Sequence, residues 1–240
     1  MKLQLPFSIM RQPDDSTCGP TCLHSVYRYY GDEITLDEVI AEVTMLEGGG
    51  TLAVLLANHA MQRGYAATIY TYKLQIFDPS WLIANGPDLR ERLQAQMSFK
   101  DDPKLRVASQ AYLKYLDLGG ELHLEDLTPG LLRRYVKRSI PVITGLSSTY
   151  LYRTPREYGP KCDYDDVRGE PTGHFVVLCG YNKQSRTIQV ADPLLPNPVA
   201  SSQLYDVSID RVLCAVLLGV LTYDANLLII RPRRKKSNHD

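Results

Sequence analysis

Cysteine is scarce in this chain, and its pattern would not build a disulfide framework or a metal site. The five cysteines, at positions 18, 22, 162, 179 and 214, are an odd number among 240 residues, and none forms a C-x-x-C pair. Disulfide-stapled secreted proteins are short and carry even sets of cysteines. No two histidines share metal-ligand spacing with a cysteine or a carboxylate. We therefore expect free thiols in a reducing, cytoplasmic setting, with no metal and no cofactor.

Excess charge and long apolar runs are also missing. Lys+Arg and Asp+Glu number 27 each, so no net field would recruit nucleic acid or a membrane surface. The longest apolar stretch, Val212 to Leu221, is too short to span a bilayer, and the first residues are too poor in apolar positions for a signal peptide. We expect neither a nucleic-acid nor a membrane partner. The basic residues 233–240 are expected to form a disordered tail.

The chain does contain an ordered set of four residues that is typical of nucleophilic hydrolases: Gln12, Cys18, His174 and Asp192. Cys18 stands at the predicted start of a helix, where backbone N–H groups and the helix dipole favour a thiolate. Gly19 follows it and would let a substrate carbonyl approach the backbone amide closely. Gln12, six positions before Cys18, is a candidate side-chain donor to an oxyanion.

His174 and Asp192 are predicted to meet across a hairpin. His174 opens an apolar strand, and Asp192 follows a turn at 182–186 and a second strand. The end of the second strand of a hairpin lies beside the start of the first. We therefore expect Asp192 to accept a hydrogen bond from His174 Nδ1–H, which leaves Nε2 facing the sulfur of Cys18. The other histidines, at positions 24, 59 and 123, are weaker candidates.

The remaining thiols are expected to be inert. Cys22 lies one helical turn after Cys18 and should point into the core, and Cys179 and Cys214 are interpreted as small buried hydrophobic residues. A redox pair of Cys18 and Cys22 would need strained disulfide geometry across one turn of helix.

The predicted elements run helices first and strands second, an order that favours an α+β fold. Helices are predicted over 18–30, 35–45 (opened by a capping box at Thr35 and Glu38), 51–63 (capped by Thr51), 88–97, 104–117, 128–139 and 209–221 (with Ser208 as a candidate cap). Strands are predicted over 66–72, 140–146, 174–181, 187–190 and 227–232. We expect one domain over residues 1–232, with residues 73–127 as a helical insertion and residues 150–172 as an active-site loop rich in tyrosine.

At these residues the chain resembles cysteine peptidase family 39, the double-glycine peptidases that process bacteriocin leaders. The matching segments are Gln12, Cys18-Gly19, Gly50-Thr51-Leu52, Ala60 to Gly64, Ile140-Pro141-Val142, Gly173 to Val177 and Ala191-Asp192-Pro193. The resemblance implies a papain-like α+β fold, with N-terminal helices packed on a C-terminal antiparallel sheet. It also implies that Cys18 is the nucleophile, His174 the base, Asp192 its orienter and Gln12 part of the oxyanion hole.

The chain departs from that family in three ways. Thr17 stands where the family usually has Asp immediately before the nucleophile, and residues 73–127 and 150–172 are longer than a minimal member requires. No membrane or ATPase portion follows, so we expect a stand-alone member, and the leader-cleaving role of an exporter does not carry over.

Three activities remain open on the sequence. The first is a hydrolase of peptide or amide bonds that works through an acyl-enzyme. The second is an acyl transferase of the phytochelatin-synthase type, since those enzymes are similar in having Gln…Cys-Gly and His…Asp on paired strands. The third is a papain-like binding module without catalysis, because a shared fold does not establish function.

Overall fold

The computed structural model describes residues 2–233 and has the predicted α+β fold. Its helices are α1 Cys18–Tyr29, α2 Leu36–Glu42, α3 Ala53–Gln62, α4 Leu89–Phe99, α5 Pro103–Asp117, α6 Pro129–Val136, α7 Ser148–Tyr152 and α8 Ile209–Leu218. Its strands are β1 Lys2–Gln4, β2 Tyr65–Thr71, β3 Glu121–His123, β4 Val142–Ser147, β5 Glu157–Tyr158, β6 Asp163–Tyr164, β7 Gly173–Asn182, β8 Thr187–Ala191, β9 Leu204–Ser208 and β10 Asn226–Pro232. Apart from Arg233, the predicted tail lies outside the described residues.

Most of these strands form one mostly antiparallel sheet. Its order is β3-β2-β10-β4-β7-β8-β9, with β1 paired to β7, and the short hairpin β5–β6 lies apart from it. Only β2 and β3 pair in parallel among the described strands. The last strand, β10, returns between β2 and β4, so the sheet joins strands from both halves of the chain. The strand that begins at Gly173 lies near its middle.

Both faces of the sheet are buried, and β7 shows why its sequence is an unbroken apolar run. Phe175 and Val177 belong to the core that includes residues of α1 and α3, whereas Val176 and Leu178 belong to the core that includes residues of α6 and α8. Successive side chains of a strand point to opposite faces, so a strand covered on both sides is apolar at every position.

The first two helices follow from local sequence. Helix α1 begins at Cys18, carries Pro20 in its first turn, where the missing N–H costs nothing, and ends before Gly31, whose φ is +80°. Helix α2 has the predicted capping box between Thr35 and Glu38. It ends at Glu42, three residues before the predicted end, because Val43 is already extended.

The predicted cap of α3 is wrong, and the residue concerned has another role. Leu52 occupies the N-cap position and makes no capping bond. The hydroxyl of Thr51 instead donates to the carbonyl oxygen of Thr44 at 2.8 Å. Thr51 therefore closes the glycine loop 48–50 onto the chain that follows α2. Later in the chain, Ser208 occupies the N-cap position of α8, as predicted, but its side chain makes no capping bond.

The two long segments singled out in the sequence have structure of their own. Residues 73–127 contain α4, α5 and β3, and residues 150–172 contain the end of α7 and the hairpin β5–β6. No helix within residues 2–233 is long and apolar enough to cross a membrane.

Candidate active site

Cys18 is the first residue of α1 and is largely buried, with 8 % of its surface exposed. Thr17, which precedes it, makes no side-chain capping bond to the helix, because its hydroxyl donates to the carbonyl oxygen of Asp14 at 3.0 Å. The first N–H groups of α1 are thus not consumed by a cap. Such unpaired donors, together with the helix dipole, favour an anion at this end of the helix.

Cys22 lies one turn further along α1 and points into the core, as predicted. It is fully buried, and its thiol donates to the carbonyl oxygen of Phe175 at 3.2 Å. Burial raises the pKa of the Cys22 thiol well above its ordinary value, and the nearby charges of Cys18 and Asp192 raise it further. Cys22 is therefore unsuited to act as a thiolate nucleophile.

The structure brings His174 and Asp192 together, but through a different ring nitrogen from the one predicted. Nε2 of His174 lies 2.8 Å from Oδ1 of Asp192. His174 also lies close enough to Cys18 for the charge of a Cys18 thiolate to raise its pKa, and both residues line one cleft. Because Nε2 is engaged by the carboxylate, Nδ1 is the nitrogen left for the sulfur. The predicted assignment, Nδ1 to Asp192 and Nε2 to Cys18, is wrong because it was taken from a hairpin argument that does not fix the orientation of the ring.

A β-bulge puts the two residues on the same face of the sheet. From the turn, Gly180 pairs with Gln189, but the next pair is Leu178 with Val190, so Cys179 is an extra residue in β7. A shift of one residue in register moves every later side chain to the other face. With the bulge, Val190 pairs with Leu178, and the two side chains lie on one face of the sheet. Asp192 is two residues after Val190 and His174 is four residues before Leu178, so both lie on that same face. Without it, Asp192 would point away from the imidazole.

Asp192 is held by more partners than the sequence indicated. Its Oδ2 accepts hydrogen bonds from the hydroxyls of Tyr152 at 2.8 Å and Tyr205 at 2.6 Å, and from Asn197 Nδ2 at 2.9 Å. Its Oδ1 also accepts from the backbone N–H of Leu194 at 3.0 Å. The carboxyl group, which is fully buried, is thereby fixed in one orientation toward His174.

These partners had only weak signals in the sequence. Tyr205 lies on β9, a strand that was not predicted, and its side chain shares a face with Asp192 because it pairs with Val190. Tyr152 was assigned to a cleft-covering loop but ends α7 and is buried. The proximity of Asn197 to Asp192 in sequence was the one available clue.

The charges of the pair reinforce each other. Burial lowers the pKa of His174, but the charges of Asp192 and of a Cys18 thiolate outweigh it and raise the pKa to about 10. Burial alone would raise the pKa of Asp192, yet the charge and hydrogen bond of His174, with the hydrogen bond from Tyr205, hold it below its ordinary value. An imidazolium beside the Asp192 carboxylate is the form that this environment stabilises.

Gln12 is buried in the loop before Cys18, with 6 % of its surface exposed. Its backbone N–H donates to the carbonyl oxygen of Pro193 at 2.9 Å, which ties the loop to the residue after Asp192. Its Nε2 donates to the carbonyl oxygen of Asp14 at 2.8 Å. An amide nitrogen carries two hydrogens, so one hydrogen remains for another acceptor.

Cys18 and His174 line a common cleft of about 240 Å³. The rest of its lining comes from the glycine loop with the start of α3, the start of β7, and the segments before β10 and at the start of α5: Asp15, Leu46, Gly48, Gly49, Gly50, Thr51, Leu52, Gly173, Phe175, Thr222, Asp224 and Lys104. A cleft with a convergent thiol, imidazole and carboxylates is the feature expected of a substrate site.

Two sets of side chains singled out in the sequence are exposed. Cys214 is exposed, not buried as predicted, because it falls on the outer side of α8 rather than the face that carries Val212 and Ala215. Tyr150, Tyr158 and Tyr164, three tyrosines of the predicted active-site loop, are exposed. Contact of this loop with substrate stays a prediction.

Two family models match the chain. The one described as Peptidase C39 family matches residues 6–84, which include Gln12 and Cys18, and the one described as Peptidase_C39 like family matches residues 120–208, which include His174 and Asp192. No curated protein matches the chain in sequence.

Solved structures match nearly the whole chain at low identity. A protein from Bacillus anthracis described as a C39-like peptidase is 14% identical, with 98% of this chain and 100% of that chain covered and a TM-score of 0.54. Xylellain, a cysteine protease from Xylella fastidiosa, is 13% identical over 97% of this chain and 86% of its own, with a TM-score of 0.46. A double-glycine motif protease from an AMS/PCAT transporter, solved in complex with the leader peptide, is 14% identical. The match covers 95% of this chain and 94% of that chain, with a TM-score of 0.46. The first of these supports a shared α+β fold.

Proposed function

Since the chain carries a domain of the Peptidase C39 / C39-like family, we propose that it is a cysteine peptidase that cleaves peptide or amide bonds with Cys18, His174 and Asp192. The observation that carries the proposal is the 2.8 Å contact of His174 with Asp192, together with the position of His174 and Cys18 on one cleft. A general base needs this proximity to its nucleophile and to its orienting carboxylate.

The first step is attack by the Cys18 thiolate on the substrate carbonyl. The start of α1 and the His174 imidazolium stabilise the thiolate before substrate arrives. As the carbon–sulfur bond forms, the carbonyl electron pair moves onto oxygen. The backbone N–H of Cys18 and the second hydrogen of Gln12 Nε2 are the donors that we assign to this oxyanion.

The second step is the departure of the amine. His174 gives the Nδ1 proton to the leaving nitrogen, the carbon–nitrogen bond breaks, and an acyl-enzyme remains on Cys18. A water molecule then attacks the thioester, with His174 taking its proton, and the thiolate is regenerated. Asp192 keeps the imidazole oriented throughout, through the Nε2 contact.

The chemistry requires a reduced thiol. All five cysteines are free in the structure, and a thiolate is lost on oxidation or disulfide formation. We therefore assign the protein to a reducing compartment, the cytoplasm, as the composition predicts.

The test compares Cys18 with an internal reference thiol. Iodoacetamide alkylation is followed residue by residue by mass spectrometry between pH 4 and 9, in the wild type and in His174→Ala. Cys214 is exposed and lies on α8, so it serves as the reference thiol in the same sample. We expect Cys18 to be alkylated at acidic pH where Cys214 is not, and His174→Ala to abolish that acidic reaction.

Turnover is then measured on a peptide library for the wild type and Cys18→Ala. Cleavage that requires Cys18 supports the peptidase. Transfer of the acyl group to an added amine without hydrolysis would replace it by an acyl transferase. If Cys18 is alkylated with the pH dependence of Cys214, and no peptide is cleaved, the proposal is wrong and the cleft is a binding site.

A further inference from the structure

Asp224 places a carboxylate on the wall of the cleft that contains Cys18 and His174. Only 6 % of its surface is exposed, and it lies beside Gly173, the residue before His174. A Cβ atom built on Gly173 would collide with Oδ2 of Asp224, and one on Gly145 would lie 3.0 Å from its Oδ1. Two glycines therefore clear the space that this side chain occupies. The proposed mechanism does not use Asp224.

One oxygen of this carboxylate has no partner in the described chain. The hydroxyl of Thr222 donates to Oδ2 at 2.6 Å, and none of the described residues donates a hydrogen bond to Oδ1. A buried carboxylate normally accepts several hydrogen bonds, because it loses the water that would otherwise solvate it. An unpartnered oxygen on a cleft wall is suited to receive a donor from a bound molecule.

The nearest buried cation does not satisfy it. Lys73 is 2 % exposed, and its Nζ has no hydrogen-bond partner among the described residues. That Nζ lies 3.9 Å from the centre of the Tyr223 ring, a cation–π contact. No ion pair within 4.0 Å joins it to Asp224 in residues 2–233. Lys73 therefore moderates the charge of Asp224 from a distance and leaves the oxygen free.

Carboxylates outnumber exposed lysines on the cleft wall. Asp15 and Asp224 are on its wall, and Lys104 is its exposed cation, also stacked over the Tyr223 ring at 4.9 Å. Burial raises the pKa of Asp224, whereas the hydrogen bond from Thr222 and the charge of Lys73 oppose the rise and favour the carboxylate. In a site with little water, an anion of this kind attracts an ammonium or guanidinium more strongly than it would at the surface.

We propose that Asp224 is a specificity-determining residue that binds a positively charged group of the substrate, an ammonium or guanidinium, close to the scissile bond. The inference rests on the proposed peptidase function, since it assigns the substrate class of the same cleft. The side chain reaches the substrate through Oδ1, and Gly173 lets it lie beside the reacting groups. A lysine or arginine in the peptide, or its free amino terminus, has the required charge.

The experiment uses irreversible peptide probes that react with a thiolate, such as dipeptidyl vinyl sulfones. Lys, norleucine or Glu is placed in turn at each of the two residues next to the reactive group. The rate of labelling of Cys18 is measured in the full chain. We expect the Lys probe to label Cys18 at least tenfold faster than the norleucine probe at one of the two positions, and the Glu probe to be slowest.

Asp224→Asn keeps the shape and the Thr222 bond but removes the charge, and should bring the Lys-to-norleucine ratio to within about threefold of unity. The matched control is Asp15→Asn, which removes a more exposed carboxylate from the same cleft and should keep most of the ratio. Lys104→Ala removes the competing exposed cation and should raise the ratio, so the inference stays testable even if Asp224→Asn does not fold.

The outcomes distinguish a failure of the inference about Asp224 from a failure of the proposed peptidase function. If the norleucine probe labels Cys18 but the Lys probe has no advantage, or keeps its advantage in Asp224→Asn, this inference is overturned and the peptidase stands. An unchanged or lower ratio in Lys104→Ala also overturns it. If no probe labels Cys18 in the wild type, the peptidase proposal fails and this inference fails with it.

Discussion

Tyr205 donates its phenolic hydrogen to the oxygen of Asp192 that His174 does not use, at 2.6 Å. The two partners therefore bind opposite oxygens of one carboxylate, so the tyrosine resists rotation of Asp192 without competing with the imidazole. Burial raises the pKa of Tyr205, and the charge of Asp192 raises it further. The phenol consequently stays a donor at any pH at which the enzyme would work.

Tyr205→Phe should weaken both stability and turnover. The change leaves Asp192 without one of its donors, and a hydrogen bond to a charged group contributes about 1.5–3 kcal/mol. We expect the free energy of unfolding in urea to fall by about 2 kcal/mol and kcat/KM to fall roughly tenfold, the equivalent of about 1.4 kcal/mol. Tyr181→Phe is the control, because that buried ring has no hydroxyl hydrogen bond among the described residues. An equal loss in both variants would contradict the role of Tyr205.

The ring nitrogen that faces Asp192 can be identified directly. In Cys18→Ser, where no thiolate holds the imidazolium, we expect neutral His174 to carry its hydrogen on Nε2, toward Asp192, and to leave Nδ1 unprotonated. Nitrogen-15 NMR of the histidine ring distinguishes the two tautomers. A hydrogen on Nδ1 in this variant would restore the assignment that the hairpin argument predicted.

Stability should depend on pH through His174. Its pKa rises from about 6.5 in an unfolded chain to about 10 in the folded protein. The contribution is therefore complete below pH 6.5 and is lost as the pH rises through 10. We expect the difference in unfolding free energy between wild type and His174→Gln to shrink above pH 7 by up to about 1.4 kcal/mol per pH unit. Urea titrations at pH 6, 8 and 10 measure it, and a difference that grows with pH would be contrary to the raised pKa.

Gly19→Ala should disturb the approach of substrate. A Cβ atom there would lie 2.6 Å from Cγ2 of Thr51, so either the start of α1 or the glycine loop must move. We expect kcat/KM to fall by at least tenfold, because a displaced helix start moves both Cys18 and its backbone donor. Thr51→Ser removes that methyl group but keeps the hydroxyl. The double variant should regain part of the loss, and additive losses would exclude this contact as the cause.

The hairpin β5–β6 is expected to act on substrate rather than on the thiol. Replacing residues 158–163 by two glycines leaves Tyr152 and its bond to Asp192 in place. We expect turnover of a peptide substrate to fall while alkylation of Cys18 is unchanged. Unaltered turnover would assign the hairpin no part in the cleft.

The elements could be predicted better than the contacts that finish the site. Helix α1 follows from Pro20 and Gly31, and the α2 cap from Thr35 and Glu38, because these signals are local in sequence. The apolar run after His174 likewise predicts β7. The ordered set of thiol, imidazole, carboxylate and amide then predicted the four candidate residues, and the family resemblance implied their roles.

What could not be predicted depends on long-range geometry. The bulge at Cys179 decides the face of Asp192, and its one local signal is Gly180, because a glycine inside a strand often marks a bulge. Tyr205 and Asp224 reach the site only because β9 and β10 return to the sheet beside other strands. The orientation of the His174 ring is likewise set by its neighbours and not by its position in a strand.

The five hydrogen bonds that converge on Asp192 limit where the catalytic proton can go. A carboxylate offers about four lone-pair positions; here two donors occupy those of Oδ1 and three donors share those of Oδ2. A proton arriving on Asp192 would have to displace a phenol, an amide or the backbone N–H from a group that has no access to water. In the proposed mechanism, the mobile proton would thereby be restricted to the path between Cys18, His174 and the substrate, with Asp192 as a fixed negative charge.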